Sequence, residues 1–305
     1  MTQSSSRHAH LLSVVLPTLN GSRFIRSSIE SCLTQTYEQF ELIVVDGGST
    51  DGTRAIVEGI SDPRVRLVSQ PGNADSLPGA LNVGFGNARG EYYTWTQDDD
   101  LYAPDAFAVL VAGLENHPEA GMVYAGQVFI DDDGKELRAA NHFWPEDLVW
   151  TNPIGQCFMY RRTVAQAVGL YDARFVMAED AHYWMRIHRR SKIVRLPGHY
   201  FYHRLHEQSL TGRDYGAYAA LRVAAQARRE VLGLPPRDFR RQVAAAYVEE
   251  GFAAYGRREF DHVRRCLRRA ALRQPRCLAK REAVLLWTRS LAQTARARVA
   301  RKSRS

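Results

Sequence analysis

Hydrophobic and polar positions in the first hundred residues alternate between two periods. LLSVVL (11–16) is a buried-strand run, apolar but for Ser13, that stops at Pro17, as expected of a strand covered on both faces. Phe24, Ile25, Ile29, Cys32 and Leu33 then share one side of a helical wheel. LIVV (42–45) is a second short apolar run, closed by the turn-rich DGGSTDGT (46–53), and RVRLVS (64–69) alternates as a third strand. A helix is expected over 79–88, a fourth strand at EYYTWT (91–96), and a helix opened by Pro104 with Phe107, Leu110, Val111 and Leu114 facing inward. Strand and helix alternating at this spacing predict an α/β fold, a mostly parallel sheet with helices on both faces. The loops after its strands gather at the carboxyl edge, where ligands bind in such sheets.

Near residue 121 the pattern changes. GMVYAGQVFIDDDGKELRAA reads as a hairpin turning at 131–134, and a less regular region runs to about 211. From 213 onward the pattern is helical. Val243 and Tyr247, then Phe260, Val263, Leu267 and Ala270, then Val284, Trp287, Leu291 and Ala295 keep helical spacing, giving three or four amphipathic helices. The pair at 241–272 has the look of a helical hairpin of the tetratricopeptide kind. Two domains are expected, 1–211 and an all-α extension at 212–305.

Charge sharpens that boundary. The formal net charge of the 305 residues is +8. Residues 1–211 hold 18 basic against 25 acidic side chains, and residues 212–305 hold 23 against 8. The body is therefore net acidic (−7) and the extension net basic (+15). Four scattered cysteines without a CxxC pair fit reduced thiols rather than a disulfide frame or zinc site. The N-terminus lacks the apolar core of a signal peptide and no apolar run reaches membrane-spanning length. A cytoplasmic protein is expected.

Candidate chemistry lies after the strands. Asp98, Asp99 and Asp100 follow the fourth strand. Three adjacent carboxylates repel one another unless water or a cation screens them. A solvated turn accounts for such a run taken alone, as it does for Asp131–Asp133. The position of 98–100 at the end of a buried parallel strand instead suits Mg²⁺ or Mn²⁺ held with substrate phosphates. Pro17, Thr18 and Asn20 follow strand one. Asp46 follows strand two, where it serves either a tight turn or a base N–H or ribose hydroxyl. No GxGxxG follows a strand and no GxxxxGK[ST] is present, which disfavours a dinucleotide fold and a P-loop.

These segments together resemble a family 2 glycosyltransferase with the GT-A fold. The likeness runs in order through LLSVVLPTLNGSRFIRSSIESCLTQTYEQFELIVVDGGSTDGT, GALNVGFGNARGEYYTW, QDDDLYAPDA, IGQCFMYRRTVAQAVGLYD, MAEDAHYWMRIHRR and YHRLHEQSLT, covering roughly residues 11–211. It implies a UDP- or GDP-sugar donor, a divalent metal (Mg²⁺ or Mn²⁺), inversion at the anomeric carbon, and a glycan or lipid-linked acceptor in bacterial surface polysaccharide or glycolipid synthesis. By the same resemblance Pro17, Thr18, Asn20, Asp46, Asn82 and Asp98 match nucleotide-pocket positions. Asp99, with Asp98 and His206, matches the metal site, Asp180 beside Glu179 the catalytic base, and Arg204 a loop over the diphosphate. The family's usual Asp-x-Asp places its first member at Gln97 here, a departure that leaves Asp99 as the main expected ligand. That departure is also what favours the competing reading, a non-catalytic nucleotide- or glycan-binding GT-A module.

Position alone offers simpler accounts of some of these residues. Glu179 and Asp180 suit a helix N-terminus electrostatically, His206 suits a surface loop, and Trp184 suits the core or an acceptor wall. His142 and Trp144 fit the acceptor side or simple packing. The basic residues of 283–305 point to peripheral contact with an anionic membrane at its inner face, or to a solvated helical cap. No nucleic-acid-binding motif accompanies them, so nucleic acid is not an expected partner.

Overall fold

The computed structural model describes residues 10–70, 76–139, 154–176 and 178–206, with Pro145, Asn152 and parts of 226–275. The chain divides into two compact units, Met1–Ser209 and Leu210–Ser305.

The first unit begins with β1 (Leu12–Thr18), α1 (Ile25–Leu33), β2 (Phe40–Asp46), α2 (Thr53–Glu58), β3 (Val65–Ser69), α3 (Leu77–Gly86) and β4 (Tyr92–Trp95). It continues with β5 (Leu101–Tyr102), α4 (Ala106–Asn116), β6 (Ala120–Ile130), β7 (Glu136–Ala139), β8 (Phe158–Arg161), α5 (Arg162–Val168), α6 (Glu179–His188) and β9 (Lys192–Arg204). The strand order is β3-β2-β1-β4-β8-β6-β9-β5, with β7 paired to β6. Strands β3, β2, β1 and β4 are mutually parallel, as their apolar runs predict. Every residue of β1 and β2 is buried, because helices cover both faces. Leu12, Val14 and Leu16 of β1 join Ile25 and Ile29 of α1 and Phe107 and Leu110 of α4 in one core. Val15 points the opposite way and meets α3 so closely that a Cβ on Gly84 would lie 2.3 Å from its Cγ1.

The other half of the sheet is mixed. β8 runs antiparallel to both β4 and β6, whereas β9 runs parallel to β6. The expected hairpin is β6–β7, with Gly134 in the left-handed region (φ +83°). β9 is the long element that the residue pattern conceals. Tyr124 pairs with Arg195 while Gly126, two residues on, pairs with His199. The strand therefore bulges around Pro197 and Gly198 (φ +90°), and the bulge breaks its two-residue period.

In the second unit α7 (Phe260–Arg273) turns Val263, Cys266, Leu267 and Ala270 inward. Cys266 and Ala270 pack with Val243, Ala244 and Tyr247, while Val263 and Leu267 meet Val248 and Tyr255. Arg269 and Arg273 lie 5.9 and 4.7 Å above the Tyr247 ring. The expected helix around Val284–Ala295 and the basic segment 283–305 lie outside the described residues. Among the described residues no helix is long and apolar enough to cross a membrane.

A buried carboxylate paired with two exposed arginines secures the parallel half. Glu41 of β2, 3% exposed, accepts from the Ser13 hydroxyl (2.7 Å) and the Arg89 amide (2.7 Å), and pairs with Arg66 and Arg89 at 3.0 Å each. Burial opposes its charge, but the Arg89 amide, the Ser13 hydroxyl and the Arg89 guanidinium outweigh burial and hold its carboxyl below the ordinary glutamate range. Its contribution is present above the ordinary pKa of about 4.3 and is lost as pH falls through the lowered folded value. Glu41→Gln should lower the unfolding free energy by about 2 kcal/mol at pH 7, discounted for the solvent reach of both arginines. Urea denaturation should show the difference shrinking below pH 4, and a difference that persists there refutes the charge account.

Candidate active site

The register of the parallel strands assembles the site. Thr18 and Asp46 are Cα partners at the ends of β1 and β2, and the Thr96 amide donates to the Val15 carbonyl (3.0 Å), carrying β4 into residues 97–100 beside them. Beyond Pro17, buried opposite Val45, Asn20 adopts a left-handed conformation (φ +58°) that asparagine tolerates. Its Oδ1 accepts from the Thr50 amide (2.8 Å) and its own amide donates to Ser49 Oγ (2.9 Å). Asn20 thus stitches the β1 loop to the β2 loop. Asp46, 3% exposed, accepts from the Ser49 amide (3.0 Å), and Arg54 lies 3.8 Å from its other oxygen.

The three consecutive aspartates receive three different environments. Asp98 accepts from the Thr18 hydroxyl. Gly21 stands so close that a Cβ there would lie 2.0 Å from Asp98 Oδ2. Asp99 Oδ2 lies 2.9 Å from His206 Nε2. Its other carboxylate oxygen is buried and finds no hydrogen-bond partner among the described residues. Asp100, fully buried, lies 3.1 Å from His203 Nδ1 and accepts from the Arg204 amide (2.8 Å). Burial, then the neighbouring aspartates, push the Asp98 carboxyl up to about 6 against the opposing Thr18 bond. Asp99 is raised by burial and Asp100, with His206 opposing. His203 is raised, the Asp100 carboxylate outweighing burial.

Main-chain clamps fix this loop. Ser28 Oγ donates to the Gln97 carbonyl (2.9 Å) and Arg204 Nε to the Asp99 carbonyl (2.9 Å). Arg204 Nη1 also donates to the carbonyls of Asp131 and Asp132 (2.9 and 2.8 Å), and its guanidinium lies 4.6 Å above the Phe24 ring. The 131–133 turn, a plain turn by sequence, therefore braces the 97–100 loop through Arg204. The guanidinium faces these carbonyls, which makes Arg204 a buttress of the acidic loop in this arrangement.

Asp180 stands on the first turn of α6, half-buried, accepting from Asn152 Nδ2 (2.7 Å) and the Ala181 amide (2.6 Å). Burial raises its carboxyl above the ordinary aspartate value, against those two bonds. Glu179 beside it is buried. Behind them Trp184 is fully buried against Phe158 (4.5 Å between centroids), so it belongs to the core. Asn82 uses both ends of its amide on the main chain of Tyr171. Any nucleotide contact would fall to its remaining N–H and lone pair. His142 and Trp144 lie outside the described residues. Residue type alone gave no signal for Gly21, Ser28, Asn152, Tyr171 or His203.

A family model described as Glycosyl transferase family 2 matches residues 13–178. The chain belongs to glycosyl transferase family 2. An uncharacterized glycosyltransferase of Rickettsia prowazekii is 29% identical over 197 residues, 61% of each chain. One from Haemophilus influenzae is 34% identical over 131 residues, 42% of this chain and 51% of that one. The chain thus spans about three fifths of the length of the first of these relatives. Among solved structures, S. aureus TarS 1-349 in complex with UDP-GlcNAc is 16% identical with a TM-score of 0.64, covering 94% of this chain and 92% of that one. The Pyrobaculum calidifontis mannosyltransferase PcManGT with GDP-Man and Mn²⁺ is 21% identical at 0.58, covering 92% and 79%. These likenesses establish the expected GT-A type of α/β fold.

The raised Asp98 carboxyl gives a test of the site's electrostatics. Folding tightens its hold on a proton, so ionisation above about pH 6 costs stability, and below pH 4 the cost vanishes because folded and unfolded forms are both protonated. In chelator-treated protein Asp98→Asn should raise the unfolding free energy by roughly 2 kcal/mol at pH 8. It should change little at pH 4. Calorimetry across that range checks it, and a loss of stability at pH 8 overturns it.

Proposed function

We propose that this family member transfers a glycosyl group from a nucleoside-diphosphate sugar to an acceptor hydroxyl, with inversion. The observation that carries the reading is Asp99: a buried carboxylate with one oxygen on His206 and the other without a hydrogen-bond partner among the described residues. Such a carboxylate, with an imidazole beside it, fits a hard divalent cation completed by diphosphate oxygens and water. Mg²⁺ or Mn²⁺ would be held by Asp99 and His206 with Asp98 alongside, and when bound it neutralises charge on the departing diphosphate. The TarS complex with UDP-GlcNAc and the PcManGT complex with GDP-Man and Mn²⁺ support a nucleotide-sugar donor on this fold.

Thr18, Asn20 and Asp46 form the nucleotide edge in this reading. The residues also supply the proton chemistry. Asp180 takes the proton of the acceptor hydroxyl as the new C1–O bond forms. The C1–O bond to the diphosphate breaks with its electron pair leaving on the phosphate oxygen. A carboxyl that burial lifts above the ordinary aspartate value is the better base for that step. Arg204 holds the loop that presents Asp99.

Asp180→Asn should reduce turnover by about 10²–10⁴-fold, measured as nucleoside diphosphate released across a panel of UDP- and GDP-sugars. Isothermal titration of UDP and GDP with Mn²⁺ should show binding unchanged. Full turnover in that variant overturns the base assignment, while nucleotide binding without turnover of any donor by the wild type favours a binding module. Contact of the basic segment 283–305 with an anionic membrane belongs to the same proposal. Deleting that segment should release the protein from phosphatidylglycerol vesicles, and unchanged sedimentation with them refutes it.

A further inference from the structure

Tyr171 joins four elements of the first unit. Asn82 of α3 donates from Nδ2 to its carbonyl (2.9 Å) and accepts at Oδ1 from its amide (2.8 Å). The buried ring stacks on Tyr183 of α6, with centroids 3.9 Å apart and planes 7° off parallel. On its other contact it lies 6.1 Å from Phe85 of α3 at 11°. Its hydroxyl accepts from Trp95 Nε1 of β4 (3.1 Å) and lies 3.3 Å from the Tyr160 hydroxyl of β8. Four residues on, Phe175 stacks on His182 of α6 (4.1 Å, 15°). The segment leading into α6 is thus gripped by side chains on both sides of the point where Asp180 emerges.

A stack this close and parallel fixes the azimuth of α6 as well as its distance from the sheet. The amide clasp fixes the backbone from which the stack is built. A two-point hydrogen bond to one residue's N–H and C=O leaves that residue little rotation, and losing it strands a buried donor and acceptor. The Asp180 charge is felt at Tyr171, adding to the burial that keeps its phenol protonated.

We propose that Asn82 and Tyr171 are positioning residues that set the first turn of α6, so that Asn82 serves the acceptor half of the reaction through Asp180 and not the nucleotide. This rests on the reading of Asp180 as the base. A displacement of about 1 Å at a reacting group costs on the order of 10²-fold in rate.

The test uses the full chain with Asn82→Ala and the milder Asn82→Asp, which keeps the acceptor for the Tyr171 amide and sets a carboxylate against its carbonyl. Asn82→Asp serves where Asn82→Ala does not fold. Titration with UDP and GDP in Mn²⁺ should give dissociation constants within twofold of wild type. Amide hydrogen exchange along residues 181–188 should accelerate at least tenfold. Turnover of the donor that the wild type uses should fall ten- to a hundredfold, and in an Asp180→Glu background the same change should cost less than threefold. Nucleotide affinity weakened tenfold with exchange of α6 unchanged overturns the proposal in favour of a nucleotide contact. Losses that simply multiply in the double variant also overturn it. If Asp180→Asn retains full turnover, it is the base assignment that fails. If Asp180→Asn is inactive and Asn82→Ala fully active, the positioning role fails alone.

Discussion

Like charges held close together in a buried loop repel one another, and burial magnifies the repulsion. Residues 98–100 put three carboxylates in succession at the edge of a closely packed sheet. The fold resolves the conflict by sending each to a different partner. Asp98 turns to Thr18 on β1. Asp100 turns inward to His203 and the Arg204 amide on β9. Asp99, between them, meets His206 and keeps one oxygen without a hydrogen-bond partner among the described residues. Much of the surrounding structure follows from that division. The long β9 must reach far enough to deliver His203, Arg204 and His206 to one loop. Ser28 and Arg204 must pin the carbonyls so that the three side chains cannot exchange partners.

The same division explains what sequence could and could not disclose. The parallel half was legible because strands buried on both faces become unbroken apolar runs. β9 was not, since its bulge at Pro197–Gly198 destroys the alternation that marks a strand. In the acidic run the residue type was legible and the roles were not. Asp98, Asp99 and Asp100 are chemically identical until β1 and β9 supply their partners from about 80 and 100 residues away. Asn82 is a similar case. An asparagine on a buried helix announces that it needs a partner, but Tyr171, 89 residues on, is assigned only by the packing of α3 against the segment before α6.

Charge arithmetic divides along the two units as well. Excess acid in the body includes the carboxylates of the site, but also Glu41, whose partners are arginines within the same unit. Net charge of the body therefore says little about its ligand, whereas the geometry of three aspartates says much. In the second unit the arginines of α7 sit partly on its own aromatic surface, with Arg269 and Arg273 over Tyr247. A basic count there is in part internal packing, since guanidinium groups cover apolar rings as well as carry charge.

A carboxylate asked to accept a proton faces opposing demands. Burial raises its proton affinity and makes it the better base, but an ill-satisfied buried carboxylate destabilises the fold and tends to move toward water. Asp180, half-buried, is resolved on the side of raised proton affinity, against the Asn152 amide and main-chain N–H groups that donate to it. Such a group stays in place only if something other than its own bonds holds its backbone. The aromatic layer behind α6 supplies that restraint. Tyr171 on Tyr183, Phe175 on His182 and Trp184 on Phe158 bear on three successive residues of a ten-residue helix, and so restrain it from more than one side. Dispersion and shape, which carry no charge and do not compete for the proton, thus fix the position of a group whose own electrostatics favour leaving. With Asp180 as the proposed base, the aromatic core beneath the acidic helix start serves the chemistry too, because it separates the task of holding the carboxylate from the task of tuning it.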